Sequence, residues 1–272
     1  MPTLPSGPAL RVPHQARHAA ESFGTDPERY HRTRPRYPQA LVARILASAP
    51  GPRVLDVGIG TGVSAEPFRA AGCRVLGVEV DPRMARFARS RGFEVEVASF
   101  EDWEPASRSF DVLIAGMTWH WIDPVAGATK AAAVLRPSGL LALFWNVAQP
   151  PPDLARAFSN VYRRVLPDTP FAAGPSDPVT AYGRLLESIS AAIRATSRFT
   201  EPAQLRFDWE RSYTTEEWLD QVPTFGGHSA FPPGQLAQLL SGIGTAIDNA
   251  GGAFTTRYAA LAITARRRHE QR

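Results

Sequence analysis

The feature that most constrains the fold of this chain is a short apolar segment followed at once by closely spaced glycines. Arg53 to Val57 has the length and apolar character of a buried β-strand, and Gly58, Gly60 and Gly62 come directly after it. Glycine lets the backbone turn sharply and approach a ligand closely, because it has no Cβ. A helix is predicted next, from about Val63 to Ala71. The segment therefore predicts a strand, a glycine-rich turn and a helix.

A second strand is predicted from Arg74 to Val80, and the acidic residue Glu79 lies near its end. This succession is typical of the nucleotide-binding corner of a doubly wound α/β sheet. The glycine spacing separates two kinds of corner. A dinucleotide site, as in an NAD-dependent oxidoreductase, has the pattern G-x-G-x-x-G. Here Val63 takes the place of the last glycine, and Asp56 lies inside the first strand.

The pattern Asp-x-Gly-x-Gly-Thr-Gly resembles motif I of the class I S-adenosylmethionine (SAM) methyltransferases. The resemblance implies SAM as cofactor and S-adenosylhomocysteine (SAH) as product. It implies that the three glycines and Thr61 line the methionine moiety and that Glu79 holds the ribose. Asp56 would order the turn or reach the amino group through water. Val80 would be a further cofactor-binding residue, and Met84 would pack on the adenine, with core packing as the alternative for Met84.

The chain departs from this family after the third predicted strand, Glu94 to Val97. Methyltransferases of this class usually carry an acid there that accepts a hydrogen bond from the adenine amino group. This chain has Ser99, followed by Phe100. The Ser99 hydroxyl or the backbone of Phe100 would have to make that contact.

The segment before the first strand also resembles part of a known family. Tyr30, Arg34, Pro35, Tyr37 and Pro38 match a Tyr-x-x-x-Arg-Pro-x-Tyr-Pro segment of small-molecule methyltransferases similar to the trans-aconitate methyltransferase and methyltransferase type 11 group. There the segment folds over the cofactor, which implies a cofactor contact for the first tyrosine and substrate contacts for the arginine and the second tyrosine. The alternatives are a proline-stiffened turn and a surface arginine.

A Trp-His-Trp run follows the fourth predicted strand, Phe110 to Gly116. Ligands of open α/β sheets bind at the carboxyl ends of the strands, so this run is expected near the reacting groups. His120 is the candidate general base; it could also donate a hydrogen bond to a carboxylate or be structural. If the run is extended, Trp119 and Trp121 point the same way and, with Trp145, could form the wall of an apolar or aromatic acceptor site.

Composition narrows the remaining classes. The chain has 272 residues, 44% of them hydrophobic, and a single cysteine, Cys73, so no internal disulfide or cysteine zinc site is expected and a cytoplasmic location is favoured. No metal is expected. Neither a membrane nor a nucleic acid is an expected partner, because the arginines are scattered and the fourth strand lacks the Asn/Asp-Pro-Pro-aromatic turn of base methylases. The oligomeric state stays open.

The sequence thus predicts an α/β, doubly wound, Rossmann-like seven-stranded sheet whose last strand is antiparallel, with an N-terminal lid and a helical cap insertion. The expected function is SAM-dependent methyl transfer to a small, apolar or aromatic acceptor; the alternative is a non-catalytic or regulatory SAM- or nucleotide-binding protein. The expected parts are a disordered or loosely docked N-terminus (1–21), a lid (22–48) and the SAM-binding core (49–149). They are followed by the cap insertion (150–203), the rest of the core sheet (204–266) and a basic tail (267–272).

Overall fold

The computed structural model describes residues 22–169 and 177–269, so the expected loosely docked N-terminus, 1–21, and the last three residues of the basic tail lie outside the described residues. Within those ranges the chain forms nine α-helices and seven β-strands. The helices are α1 (Pro27–Thr33), α2 (Gln39–Ser48), α3 (Glu66–Ala70), α4 (Pro82–Ser90), α5 (Pro124–Val134), α6 (Pro152–Val165), α7 (Pro178–Ala195), α8 (Thr215–Gln221) and α9 (Pro233–Asp248). The strands are β1 (Arg53–Val57), β2 (Arg74–Glu79), β3 (Glu94–Val97), β4 (Phe110–Gly116), β5 (Leu135–Gln149), β6 (Ala203–Thr214) and β7 (Ala253–Arg266).

The seven strands form one sheet in the order β3-β2-β1-β4-β5-β7-β6. The first five strands in this order are parallel to one another, with Leu55 of β1 opposite Leu76 of β2 on one side and Leu113 of β4 on the other. The strands β1 and β4 are adjacent and parallel, so their carboxyl ends lie at the same edge of the sheet. The glycine turn and the Trp-His-Trp run, which follow them, therefore start side by side.

The strand β7 runs antiparallel to its neighbours, as predicted. Arg267, just after β7, donates from its N–H to the Gly139 carbonyl over 2.8 Å, and its carbonyl accepts from the Ser138 N–H over 3.1 Å. The end of β7 thus lies beside the beginning of β5. On its other side, the Ser212 and Thr255 hydroxyls are 2.8 Å apart. The predicted fold class is confirmed.

Some element boundaries differ from the predictions. The strand β5 starts at Leu135, where it pairs with Phe110 at the beginning of β4. The helix α3 starts at Glu66 rather than Val63, because the turn continues through Ala65. The Ala65 N–H donates to the Gly62 carbonyl over 3.1 Å. The segment 22–48, expected to be helical, contains α1 and α2, and α1 begins where the Asp26 side chain accepts from the Arg29 N–H.

The two outer strands of the sheet carry charged side chains. The strand β3 has only four residues, and its Glu96 accepts two hydrogen bonds from the Arg108 guanidinium, at 2.7 and 2.9 Å. The strand β6 alternates between exposed and half-buried side chains along most of its length, with Arg206, Asp208 and Glu210 on the exposed positions. This alternation is typical of a strand with one solvated face.

The chain divides into two compact units. The described residues of unit 1 are 22–34, 147–169, 177–183 and 208–259, and those of unit 2 are 35–146, 184–207 and 260–269. Unit 2 contains β1 to β4, with the glycine turn and the Trp-His-Trp run. The predicted lid, 22–48, is divided between the units after Arg34. The lid and cap roles of 22–48 and 150–203 stay predictions.

Unit 1 is held together by an aromatic core and by ion pairs. The Trp218 ring lies 5.1 Å from the Phe254 ring and 5.9 Å from the Phe158 ring, edge-on to the first and stacked on the second. The helix α1 is joined to α8 by Asp220, whose carboxylate accepts from Arg29 Nε and Arg32 Nη2, both at 2.8 Å. Among the described residues, no helix is long and apolar enough to cross a membrane.

A buried histidine in unit 1 makes the folded state sensitive to acid. His228 is fully buried; Nδ1 lies 3.3 Å from the Gly226 carbonyl, and Nε2 lies 2.8 Å from the Tyr162 hydroxyl. Burial lowers the pKa of His228 from 6.5 to about 4. The unfolded chain therefore takes up a proton near pH 6.5 that the folded chain does not, so this contribution to stability is lost as the pH falls from 6.5 towards 4.

Replacing His228 by Gln tests this proton linkage. The Gln carbonyl can still accept from Tyr162, but it does not titrate. We expect the wild type to lose about 2–3 kcal/mol more unfolding free energy than the variant between pH 7 and pH 4.5. Urea unfolding at a series of pH values measures the difference, and parallel curves for the two proteins would contradict it.

Candidate active site

The glycine turn after β1 has a backbone that only glycine adopts without strain. Gly58, Gly60 and Gly62 have φ angles of +69°, +57° and +92°. A Cβ on Gly58 would overlap the Thr118 side chain, and a Cβ on Gly62 would lie 2.6 Å from the Phe93 ring. The first and third glycines therefore let neighbouring elements pack against the turn, while a Cβ on the middle one would make only an ordinary contact, 3.6 Å from Met84 Cε.

Glu79, at the end of β2, is held by the backbone on both sides. Its Oε2 accepts from the Gly60 N–H over 2.8 Å, and its Oε1 accepts from the Asp81 N–H over 2.9 Å. The side chain is 7% exposed; burial raises its pKa, and the two N–H donors act in the opposite direction. A carboxylate oxygen can accept more than one hydrogen bond, so Glu79 is fixed in place and can still accept from ligand hydroxyls.

Asp56 lies within β1 and is completely buried. Its Oδ2 accepts from the Ser64 hydroxyl over 2.6 Å, and its Oδ1 has no hydrogen-bond partner in the described part of the chain. Burial raises the pKa of Asp56 to about 8. The Thr61 hydroxyl is also buried and unpartnered among the described residues. Each such group costs about 1–3 kcal/mol unless a ligand or water satisfies it, which fits a polar ligand at this turn.

Apolar side chains lie at the carboxyl ends of the two strands beyond the turn. Val80 follows Glu79 and is 37% exposed; Val97 lies opposite Glu79 in the β2–β3 register and is 45% exposed. Met84, on α4, is buried, and its Cε is 3.6 Å from where a Cβ on Gly60 would lie. Sequence reasoning missed Val97, although its place at the end of the strand beside Glu79 was a usable signal.

The residues predicted to meet the adenine have different surroundings. The Ser99 hydroxyl is 2.6 Å from Asp102 Oδ2 and accepts from the Asp102 N–H over 3.2 Å. The Phe100 ring is buried against Trp103 and Trp119, with centroids 6.5 and 6.0 Å away. Ser99 therefore lies beside a carboxylate three residues later, which sequence reasoning missed, and the Phe100 side chain belongs to the core.

The Trp-His-Trp run is not extended, so the condition under which the two tryptophans would point the same way is not met. Residues Trp119–Trp121 form a 3₁₀ turn, not an extended segment, so the two tryptophans do not share a face. Trp119 is buried against Phe100, and its ring would meet a Cβ on Gly127 of α5. Trp121 is half-buried, with its ring centroid 4.8 Å from the imidazole of His120. Of the two rings, only that of Trp121 reaches solvent.

His120 and Trp145 form a buried pair at the carboxyl ends of β4 and β5. The indole N–H of Trp145 donates to His120 Nδ1 over 3.2 Å, and His120 Nε2 has no partner among the described residues. Burial lowers the pKa of His120 to about 3. Trp145 is completely buried, so it holds the histidine rather than forming an open wall.

The aromatic and basic cluster before β1 is divided between the units. In unit 2, Tyr37 packs edge-on against Phe144 at 4.7 Å, and its hydroxyl lies 2.8 Å from where a Cβ on Gly116 would be. In unit 1, the Arg34 guanidinium lies 4.5 Å above the Tyr30 ring and donates to the Thr224 carbonyl. The structure thus brings Tyr37 to the end of β4, whereas the described contacts of Tyr30 and Arg34 lie within unit 1.

Over residues 22–169 and 177–269, no group of three or more His, Cys, Asp or Glu side chains is arranged to hold a metal ion. The buried acids Asp56 and Glu79 are instead occupied by a hydroxyl and by backbone N–H groups. The arrangement is suited to binding a ligand with hydroxyl and cationic groups.

This sheet order and the glycine turn define the class I methyltransferase fold. The profile of the family described as "Methyltransferase domain" matches residues 55–143. The chain is therefore similar to this family over residues 55–143.

Several known proteins are similar to parts of the chain. An uncharacterized methyltransferase of Mycobacterium tuberculosis is 34% identical over 127 residues, which is 46% of this chain and 52% of that protein. The demethylmenaquinone methyltransferase of Tropheryma whipplei is 31% identical over 151 residues, 54% of this chain and 62% of that protein. The chain thus spans about half the length of these curated relatives.

Solved structures agree on the fold. A proposed type II methyltransferase from Anaeromyxobacter dehalogenans superposes with a TM-score of 0.58 and 22% identity, over 87% of this chain and 99% of that one. Phosphoethanolamine N-methyltransferase 2 of Haemonchus contortus, solved in complex with SAM, superposes with a TM-score of 0.50 and 16% identity, over 94% of this chain and 57% of that one.

A pair of alanine substitutions tests how closely the turn is packed. Gly58→Ala imposes a left-handed φ on a residue with a Cβ and also drives that Cβ into Thr118; Gly72→Ala imposes the same strain at φ +86°, with nothing within 4 Å. We expect Gly72→Ala to lower the unfolding free energy by about 1 kcal/mol and Gly58→Ala by about 2–4 kcal/mol. Urea unfolding measures both, and equal losses would contradict the packing of Thr118 on the turn.

Proposed function

We propose that this protein is a SAM-dependent methyltransferase that acts on a small, apolar or aromatic acceptor. The observation that carries the proposal is Glu79, which is fixed by the N–H groups of Gly60 and Asp81 beside a glycine turn with left-handed φ angles. An acid at this point of a doubly wound sheet is placed to accept hydrogen bonds from ribose hydroxyls. The match of residues 55–143 to the methyltransferase domain supports the same function.

The residues at the turn fit SAM group by group. Among the described residues, one buried oxygen of Asp56 has no partner and can accept from a cationic amino group, and the Thr61 hydroxyl also has no partner. Val80 and Val97 expose apolar surface on the other side of Glu79, where the base of a nucleoside would lie against them. SAM itself supplies the reactive methyl on a sulfonium, and the protein's part is to bind, orient and exclude water.

The acceptor class rests on the surroundings of the Trp-His-Trp run and on the relatives. Trp121 presents a partly exposed ring beside His120. The names of two relatives, the demethylmenaquinone methyltransferase and a ubiquinone biosynthesis O-methyltransferase of Bradyrhizobium, indicate ring-containing acceptors. A small molecule is accordingly the proposed substrate, in the cytoplasm, with no nucleic acid or membrane partner. The competing function is SAM or nucleotide binding without catalysis.

Calorimetric titration with SAM and SAH tests the cofactor. In Glu79→Gln the amide group replaces an oxygen that accepts from a backbone N–H, so we expect the affinity for both ligands to fall about tenfold or more. The matched control is Glu94→Gln, an exposed glutamate at the beginning of β3, which should bind as the wild type does. If the folded wild type binds neither ligand, the proposal is wrong.

Turnover separates the enzyme from the non-catalytic alternative. With SAM and a panel of aromatic hydroxyl and carboxyl compounds, we expect SAH to form with at least one acceptor and to form much more slowly with Glu79→Gln. SAM binding without SAH formation on any acceptor of the panel would favour the regulatory alternative.

A further inference from the structure

The protonation state of His120 follows from its contact with Trp145. An indole nitrogen carries a hydrogen and can only donate, so Trp145 Nε1–H is the donor and His120 Nδ1 the acceptor of their 3.2 Å hydrogen bond. A neutral imidazole has one acceptor nitrogen and one N–H group. The proton of His120 therefore lies on Nε2.

His120 Nε2–H is a buried donor with no partner in the described ranges of the chain. Burial lowers the pKa of the imidazole to about 3, so the ring stays neutral at physiological pH. A base must offer a free lone pair, and the only lone pair of this ring is already used by Trp145. The geometry therefore favours a donor rather than the general base expected from sequence.

The segment that carries this donor contacts the glycine turn. The Thr118 hydroxyl, two residues before His120, has its single hydrogen within reach of two acceptors, the Gly58 carbonyl at 3.2 Å and the Gly116 carbonyl at 3.1 Å. Trp121 lies on the other side, with its ring 4.8 Å from the imidazole. The His120 Nε2–H donor is therefore held at the carboxyl ends of the central strands, and an aromatic ring lies beside it.

We propose that His120 Nε2–H binds an oxygen atom of the methyl acceptor and so selects acceptors that carry an ionised oxygen, namely carboxylates and acidic phenols. The inference rests on the proposed function. Such acceptors are already deprotonated at neutral pH, so they need no base, and a neutral N–H donor beside an aromatic ring suits their oxygen. A cationic amine offers this donor no lone pair.

Nitrogen-15 NMR of histidine-labelled protein tests the proposal directly, with the His120 signals assigned from His120→Gln. We expect the Nε2–H tautomer with no titration between pH 5 and pH 8. In the SAH-loaded protein, benzoate or 4-nitrophenolate should shift the His120 Nε2–H signal downfield, whereas benzylamine should not. A proton on Nδ1, a titration in this range, or no shift with either oxygen acid would overturn the proposal.

Two variants separate a donor from a base and from a structural residue. His120→Gln keeps an N–H donor near the end of the side chain, and His120→Phe keeps only a ring. We expect benzoate or 4-nitrophenolate to bind the first about as tightly as the wild type and the second about tenfold more weakly, with SAH affinity unchanged in both. Equal binding by both variants would contradict the donor role.

If both His120 variants unfold, the variant Trp145→Phe tests the proposal instead. It removes the indole donor, so Nδ1 is no longer held as the acceptor, and we expect a mixture of tautomers and a severalfold weaker shift with the oxygen acids. An unchanged tautomer and an unchanged response would overturn the proposal. Failure of the wild type to bind SAH would instead count against the proposed function, since the tautomer is measured without ligand.

Discussion

The site depends on the two hydrogen bonds that Glu79 accepts from the backbone. One comes from Gly60 in the turn after β1, and the other from Asp81 at the beginning of α4. A single buried carboxylate thus fixes the distance between the turn, the end of β2 and the helix that follows. Because backbone N–H groups are the donors, the position of Glu79 does not depend on flexible side chains, and a ligand meets an acceptor that is already oriented.

A second contact, made by Thr118, fixes the glycine turn against β4. Thr118, just after β4, packs where a Cβ on Gly58 would lie and bonds to the Gly58 carbonyl. The Thr118 side chain therefore joins the adjacent strands β1 and β4 beyond their last paired residues. It fits there because Gly58 has no Cβ. This contact places the 3₁₀ turn of Trp119–Trp121 next to the glycines, so the candidate cofactor and acceptor residues of unit 2 belong to one continuous packed region.

The sheet could be predicted from sequence because its signals are local. The bounds of β3 and β4 were predicted to the residue, and the glycine turn and Glu79 were recognisable from spacing alone. The state of His120 could not be predicted, because it depends on a hydrogen bond to Trp145, 25 residues later and on another strand. The Trp119–Trp121 turn was missed for a related reason: alternation predicts side-chain direction only where a segment is extended.

The charged outer strands have a consequence for how the molecules behave at high concentration. An exposed sheet edge is a template for pairing with another chain, and short strands and charges discourage it. One edge of this sheet is the four-residue β3, whose Glu96 accepts hydrogen bonds from Arg108. The other edge is β6, on which Arg206, Asp208 and Glu210 are exposed. A second molecule that added a strand to either edge would have to bury or displace these charges. The charges therefore disfavour strand-to-strand aggregation at both edges of the sheet.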